Sequence, residues 1–277
     1  MDGDIRKGMF GVMKQKRKQK GAARVLFPLL AIALVALLVL VLLTVKKLHS
    51  QPEAQPTPIP TELSAQQSAA VSPALDIPTY AGYAFDSSAL SVLSESAFVG
   101  DSICSGLYVY GVLPQDMVVA EGNVGIRSLG DYTFSVAGGK YTALQALQTI
   151  QPRYVIFSMG MNDINMVSEQ VYCEDYLSVL AQTQQLLPSA RLYVASITPI
   201  DVSSDFASND KIDRYNAALK DAVGQAGYGY IDVSTHLRDA AGGLDAAFGG
   251  GDGIHLNKTA YYSILTDVAA QIIADRR

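Results

Sequence analysis

Ser102 is the residue of this sequence that is best placed to act as a nucleophile. It follows a short apolar run, residues 97–99, that predicts a buried strand, and then Gly100, which lets the chain turn. A serine there lies beyond the carboxyl end of a parallel strand, where open α/β sheets bind ligands. Its backbone N–H lies at a predicted helix N-terminus, which favours an anion. The alternative is that Asp101 or Ser102 only caps the helix.

A serine hydroxyl needs a base to take its proton, and His255 is the best candidate among the three histidines. His49 lies outside the expected folded domain, and His236 opens a predicted helix at the surface. His255 lies in a glycine-rich loop before the last predicted helix. Asp252, three residues upstream, can accept from the other imidazole N–H and fix the tautomer. The alternative for this segment is a turn with a capping carboxylate.

Three N–H donors could stabilise the negative oxygen of a tetrahedral intermediate. They are the backbone N–H of Ser102, the backbone N–H of Gly125, and the side-chain amide of Asn162, which directly follows the third predicted strand. One such donor lowers the barrier by about 2.7–4 kcal/mol. The alternative is structural, with Asn162 and Asp163 holding loops through Asx-type hydrogen bonds.

Five short apolar runs alternate with segments of helical periodicity, which predicts a parallel sheet with helices on both faces. The predicted strands are residues 97–99, 117–120, 154–157, 191–197 and 228–233. Residues 81–96 are expected to lead into the first strand. The loops after the first three strands, residues 100–106, 122–128 and 160–164, should gather along one rim of the sheet.

The N-terminal region predicts a membrane anchor. Residues 1–24 carry eight Lys or Arg and two Asp, and residues 25–45 carry no charge. The uncharged run spans about 30 Å as a helix, the thickness of a hydrocarbon core. We expect a basic cytoplasmic tail over 1–24 and a transmembrane helix over 25–45, with the N-terminus in the cytoplasm. The alternative is a cleaved signal peptide, whose apolar core is about 7–15 residues and thus shorter.

The rest of the chain divides into a linker and one domain. Residues 46–80 are rich in Pro, Gln, Ala and Ser, which is typical of a disordered linker. Residues 81–277 have the length of a single domain with a substantial core.

Charge and cysteine content exclude several classes of function. Residues 48–277 carry eleven basic and twenty-four acidic side chains, a net charge of −13 with neutral histidine, which argues against binding nucleic acid. Cys104 and Cys173 fall on separate predicted helices, and we expect two unpaired, partly buried thiols. The sequence has no zinc-ligand spacing, and no metal or other cofactor is expected.

Four segments resemble, in the family's order, the sequence blocks of the SGNH (GDSL-type) hydrolase family. The matching residues are Gly100-Asp101-Ser102 for the nucleophile block, Gly125 for the glycine block, Asn162 in Gly-Met-Asn-Asp for the asparagine block, and Asp252 with His255 for the Asp-x-x-His block. The likeness covers about residues 95–277. The sequence departs from the family after Gly125, where Arg127 and Ser128 stand and many members have a further small residue.

The resemblance implies a flavodoxin-like three-layer α/β/α fold and a Ser-His-Asp mechanism of acyl transfer. Ser102 would be the nucleophile, His255 the base and Asp252 its orienting partner, with an oxyanion hole formed by Ser102, Gly125 and Asn162. Family members are mainly esterases, lipases, thioesterases and carbohydrate acetylesterases, and some transfer acyl groups.

Together with the anchor, this resemblance predicts a membrane-anchored extracytoplasmic esterase that acts without a cofactor. We expect it to remove O-acetyl or other small acyl esters from cell-wall or surface glycans. The alternatives are an O-acetyltransferase using the same residues, a lipid esterase, and a non-catalytic wall-binding module.

Overall fold

The computed structural model of this chain describes residues 75–276. The predicted cytoplasmic tail, the predicted transmembrane helix at 25–45 and the linker up to residue 74 lie outside the described residues. Within residues 75–276, no helix has both the length and the apolar character needed to cross a bilayer. The described fold begins inside the predicted linker, because Ile77 is already buried against the core.

The strands, in chain order, are β1 (Ser96–Gly100), β2 (Val118–Ala120), β3 (Phe134–Val136), β4 (Gly139–Tyr141), β5 (Tyr154–Ser158), β6 (Arg191–Ala195) and β7 (Gly229–Ile231). Five of them form one parallel sheet in the order β2-β1-β5-β6-β7, which confirms the predicted five-stranded parallel sheet. Strands β1 and β5 are almost wholly buried, and this explains their continuous apolar sequences.

The helices are α1 (Ser87–Ser94), α2 (Ser102–Val109), α3 (Ala143–Ile150), α4 (Glu169–Leu186), α5 (Asn209–Gln225) and α6 (Lys258–Ala274). They form two groups, since α6 contacts α1 and α2, whereas α4 contacts α3 and α5. Around one small apolar cavity, Phe98 of β1 and Ile156 of β5 lie with Leu107 of α2 and Ile264 of α6. Alternate residues of these strands face the opposite side. The sheet is therefore enclosed between two layers of helices.

The order of the strands brings three loops together. Strand β1 lies between β2 and β5, so the chain leaves β1 in one direction and later returns to its other side. In this register Gly100 is level with Ala120 of β2 and with Ser158 of β5. The loops that follow the three strands therefore start side by side at a topological switch point.

Two elements were missed by the sequence analysis. Helix α1 occupies half of the segment 81–96 that was expected only to lead into the first strand, and Asp86 caps it by accepting from the Ala89 N–H at 2.8 Å. Strands β3 and β4 form an antiparallel hairpin whose turn residues Ala137 and Gly138 have φ of 49° and 77°. Tight turns with two positive φ angles usually carry Asn-Gly, so this turn gave no sequence signal. Asp116 holds it by accepting from the Ala137 N–H at 2.8 Å.

Helices α2 and α6 pack closely through a glycine and a tyrosine. A Cβ atom at Gly106 would lie 1.9 Å from the Tyr261 hydroxyl oxygen, so only glycine leaves room for the ring. That hydroxyl donates a hydrogen bond of 2.8 Å to the buried carbonyl of Ile103. Because Ser102 begins α2 and His255 precedes α6 by three residues, this contact sets the position of one relative to the other.

We expect Gly106→Ala to lower the free energy of unfolding by about 1–3 kcal/mol, because the methyl group forces the Tyr261 ring out of its place. The matched control is Gly224→Ala in α5, where a Cβ would meet no atom within 4 Å. Alanine there should raise the free energy of unfolding by about 0.5–1 kcal/mol through its higher helix propensity. Urea unfolding of both variants measures the two effects, and equal midpoints for Gly106→Ala and wild type would contradict the packing argument.

Candidate active site

The turn after β1 presents Ser102 outward. A Cβ at Gly100 would lie 2.2 Å from both the Ser158 carbonyl oxygen and Cys104 Cβ, so a glycine is required where β1 meets α2. Asp101 is buried and caps α2 by accepting from the Ile103 N–H at 2.9 Å. Burial raises the pKa of Asp101 to about 6, although its backbone hydrogen bonds act in the opposite direction. The capping interpretation therefore holds for Asp101, while the Ser102 hydroxyl is left to contact another group.

Three of the predicted site residues form one hydrogen-bonded chain. The Ser102 Oγ lies 3.0 Å from His255 Nε2, although the two residues are 153 positions apart in sequence. On the other side of the ring, His255 Nδ1 lies 2.6 Å from Asp252 Oδ2. This is the order of contacts in which an imidazole can take a proton from a serine hydroxyl.

Asp252 determines which imidazole nitrogen is free to act as a base. The hydrogen bond from His255 lowers the pKa of Asp252 to about 2, with help from the backbone N–H groups of Ile254 and His255. Asp252 is therefore an anion at neutral pH and can only accept hydrogen bonds. The proton of a neutral imidazole must then be on Nδ1, which leaves the Nε2 lone pair facing the Ser102 hydroxyl.

The loop that carries the His–Asp pair is held at Asn257 and at Gly253. Asn257 caps α6 by accepting from Thr259 N–H at 2.9 Å, and its amide donates to the Ala247 carbonyl at 2.8 Å. The Gly253 carbonyl accepts from the Asp201 N–H at 2.8 Å. The side chains of His255 and Asp252 are 48% and 54% exposed, so the pair lies at an open edge of the domain.

Two of the three predicted oxyanion donors point at one place, and a backbone oxygen occupies it. The Ser102 N–H donates to the Gly122 carbonyl at 3.1 Å, as if the pairing of β1 with β2 continued for one more residue. The Asn162 amide donates to the same oxygen at 3.3 Å and to the Val124 carbonyl at 3.0 Å. These contacts confirm that Ser102 and Asn162 are neighbours at the carboxyl edge of the sheet.

The structure does not direct the Gly125 N–H to this place. Its N–H donates to the Ser128 Oγ at 3.2 Å. The Val124 carbonyl belongs to the same peptide group and points at Asn162. Since the peptide bonds of the described residues are trans, the N–H of that group points away from Asn162.

Asp163 holds the loop after β2 from the interior of the domain. It is fully buried, and its Oδ2 accepts from the Ile126 N–H at 2.9 Å. Its Oδ1 lies 3.5 Å from Arg127 Nε. Burial raises the pKa of Asp163, and these two partners oppose that shift. A Cβ at Gly125 would lie 2.4 Å from Asp163 Oδ1, so the glycine is needed for packing of this loop.

Two tyrosines of α4 position the segment that follows β5 and leads to Asn162. Tyr172 and Tyr176 both donate to the Met159 carbonyl, at 2.9 and 2.8 Å. Both tyrosine rings are buried against the core. Only the tertiary contact shows that the hydroxyl groups also position the loop.

Other groups with possible chemistry lie apart from this site. His236, which is exposed, forms a second His–Asp pair with the largely buried Asp267, at 2.8 Å. Cys104 and Cys173 are both buried and unpaired, which confirms the predicted pair of free thiols. Within residues 75–276, no group of three or more His, Cys, Asp or Glu side chains is placed to hold a metal ion.

A serine at the switch point of a five-stranded parallel sheet, hydrogen-bonded to a His–Asp pair, is the architecture of a serine hydrolase. The sequence model of the GDSL-like Lipase/Acylhydrolase family matches residues 98–262, more than half of the chain. The chain therefore belongs to this family of serine ester hydrolases, which confirms the resemblance found in its sequence blocks.

Several solved structures resemble this fold. A protein from Streptococcus pneumonia, provisionally described as a platelet activating factor, is 19% identical with a TM-score of 0.51, and the match covers 64% of this chain and 82% of that chain. A GDSL-like lipase from Bacteroides thetaiotaomicron is 13% identical with a TM-score of 0.48, and the match covers 66% of this chain and 88% of the lipase. Axe2, an acetylxylan esterase from Geobacillus stearothermophilus, is 16% identical with a TM-score of 0.48, and the match covers 64% of this chain and 93% of Axe2. At 19% identity the first of these shows the fold alone. None of the curated proteins matches this chain.

We expect Asp252→Asn to lower kcat/KM for an ester by about 10²- to 10⁴-fold. The N–H groups of Ile254 and His255 both need the acceptor at Oδ1, so the amide NH₂ takes the place of Oδ2. An NH₂ there forces Nδ1 to accept a hydrogen bond, and the proton moves to Nε2, where it blocks the base.

Asp267→Asn is the matched control, because it alters the second His–Asp pair in the same way. Hydrolysis of p-nitrophenyl acetate measures both variants. Equal loss of activity in the two variants would contradict the assignment of Asp252.

Proposed function

We propose that this chain is a membrane-anchored, extracytoplasmic esterase that removes O-acetyl or other small acyl groups from cell-wall or surface glycans. The observation that carries the proposal is the hydrogen-bonded chain from the Ser102 hydroxyl through His255 to Asp252. It assigns Ser102 as the nucleophile, His255 as the general base and Asp252 as the residue that orients the imidazole.

In the proposed reaction, Ser102 Oγ attacks the ester carbonyl carbon as its proton moves to His255 Nε2. Asp252 stabilises the resulting imidazolium. The imidazolium then gives the proton to the departing sugar oxygen, and an acetyl–Ser102 ester remains. His255 next takes a proton from water, whose oxygen attacks the acyl carbon. The imidazolium then returns that proton to Ser102 Oγ as the bond to the acyl carbon breaks, and acetic acid leaves and ionises to acetate.

The negative oxygen of both intermediates must face hydrogen-bond donors. The Ser102 N–H and the Asn162 amide are the best placed, because they already converge on one oxygen atom. The Gly125 N–H remains a predicted donor, and it would have to leave the Ser128 hydroxyl to take part.

The openness of the site supports an ester carried by a polymer. His255 and Asp252 lie at the surface with about half of each side chain exposed, so a glycan chain can approach without entering a tunnel. The uncharged run at 25–45 and the proline-rich linker in the sequence support a catalytic domain held within reach of wall or surface glycans. Water can also reach the acyl–enzyme, which favours hydrolysis over transfer.

We expect the wild-type protein to release acetate from isolated, O-acetylated wall polymer, and Ser102→Ala to release none above background. Removing the nucleophile leaves no atom to form the acyl–enzyme. Acetate is measured enzymatically, and a fluorophosphonate probe should label wild type but not Ser102→Ala.

His236→Ala is the control and should match wild type, since His236 is paired with Asp267 away from Ser102. Acetate release by Ser102→Ala at the wild-type rate would refute the proposed nucleophile. Acetylation of an added sugar acceptor in place of acetate release would indicate an O-acetyltransferase.

A lipid esterase is a second candidate, and one observation favours it. Val202 and Phe206 are 64% and 38% exposed on the loop that begins at Asp201, and Asp201 is hydrogen-bonded to Gly253 in the catalytic loop. Exposed apolar side chains beside a catalytic loop can contact an acyl chain or a bilayer surface.

The length of the acyl group separates the two candidates. For a glycan acetylesterase, kcat/KM on p-nitrophenyl esters should fall by at least about tenfold between acetate and octanoate, because a site adapted to acetyl does not accommodate the added methylenes. A rise with chain length that is abolished by Val202→Ser combined with Phe206→Ser would instead support the lipid esterase.

A further inference from the structure

The carbonyl oxygen of Gly122 occupies the position that an oxyanion needs. It accepts from the Ser102 N–H at 3.1 Å and from the Asn162 amide at 3.3 Å. These are the two donors that the proposed function assigns to the tetrahedral intermediate, and the inference below rests on that function.

An oxyanion cannot share these donors with the Gly122 carbonyl. Effective donors lie about 2.7–3.1 Å from the negative oxygen. An oxygen that accepted both N–H groups along their present directions would overlap the Gly122 oxygen, to which both groups now point, and would be repelled by its partial negative charge. The carbonyl must therefore leave before the intermediate can form.

We propose that the Gly122–Asn123 peptide group turns over when an acyl substrate binds, and that the Asn123 backbone N–H becomes an oxyanion donor. In a trans peptide the N–H points opposite to the carbonyl, so the Asn123 N–H now faces away from Ser102. Half a turn of this group removes the oxygen and brings the N–H toward the same place. The site then holds donors from Ser102, Asn162 and Asn123.

The two residues on either side of this peptide group suit such a rotation. The rotation changes ψ of Gly122 and φ of Asn123 and leaves the rest of the chain in place. A Cβ at Gly122 would meet no atom within 4 Å, so the surroundings are open. Asn123 is exposed and has a negative φ in this structure. Turning would make its φ positive, and asparagine accepts positive φ more readily than most residues.

The neighbouring part of the loop is too constrained to make the same movement. Gly125 packs against the buried Asp163, which also binds the Ile126 N–H. The Gly125 N–H and carbonyl both bond with Ser128. The 122–123 peptide group is therefore the part of this loop that is free to turn, whereas the Gly125 N–H is held by the Ser128 hydroxyl.

A series of variants at Asn123 tests the rotation, because each residue tolerates a positive φ differently. We expect kcat/KM on p-nitrophenyl acetate to follow the order Asn123→Gly, wild type, Asn123→Ala, Asn123→Val. The β-branched variant should lie about tenfold or more below the glycine variant. Thermal unfolding midpoints should not follow this order, because the side chain is exposed and the resting φ suits every residue of the series. Equal kcat/KM for Asn123→Gly and Asn123→Val would overturn the proposal.

A crystal structure of Ser102 carrying an ethyl alkylphosphonate, the adduct that a fluorophosphonate leaves when fluoride departs, tests the geometry directly. The phosphoryl oxygen should accept from the N–H groups of Ser102 and Asn123 and from the Asn162 amide, with the Gly122 carbonyl turned away. An adduct in which the Ser102 N–H still donates to the Gly122 carbonyl would refute the rotation.

The two hypotheses fail in different ways. A wild-type protein that neither hydrolyses esters nor reacts with the phosphonate would refute the proposed function. An active, labelled wild type with an unturned peptide group would refute this inference alone.

Discussion

The hydrogen bond from the Tyr261 hydroxyl to the Ile103 carbonyl, made possible by Gly106, is the contact on which the site depends. It joins the helix that begins with Ser102 to the helix that follows His255. Ser102 and His255 come from opposite ends of the domain, so no contact between residues close in sequence can bring them together. A buried hydrogen bond beside a glycine positions the helices closely, because the bond satisfies the buried Tyr261 hydroxyl and the tyrosine ring fills the space that the glycine leaves.

The parallel sheet supplies the other half of the arrangement. Strands β1, β2 and β5 end level, so the nucleophile turn and the two donor loops start from one edge. The same regularity explains why the oxyanion position is filled. Pairing between β1 and β2 continues past the strand ends until the Ser102 N–H has an acceptor, and the Gly122 carbonyl is the next one available. Full hydrogen bonding of the resting loop thus competes with binding of an oxyanion.

Some buried polar groups act on the site through its loops. Asp163 has no solvent contact, yet it holds the Ile126 N–H and lies against Gly125. Tyr172 and Tyr176 converge on one carbonyl at the exit of β5. In each case the partner lies far away in sequence or on another element, so spacing along the chain carries no sign of the contact.

The sequence by itself determined five hydrophobic runs as strands, the nucleophile turn and the Asp-x-x-His segment, because periodicity, glycine and short-range spacing are local properties. It missed the β3–β4 hairpin, whose alanine turn is held by the distant Asp116, and helix α1. Only the tertiary structure decided where the N–H groups point. Ser102 and Asn162 converge on the Gly122 carbonyl, whereas the Gly125 N–H is turned away. The direction of a peptide group depends on contacts made by the folded chain, and residue type does not encode it.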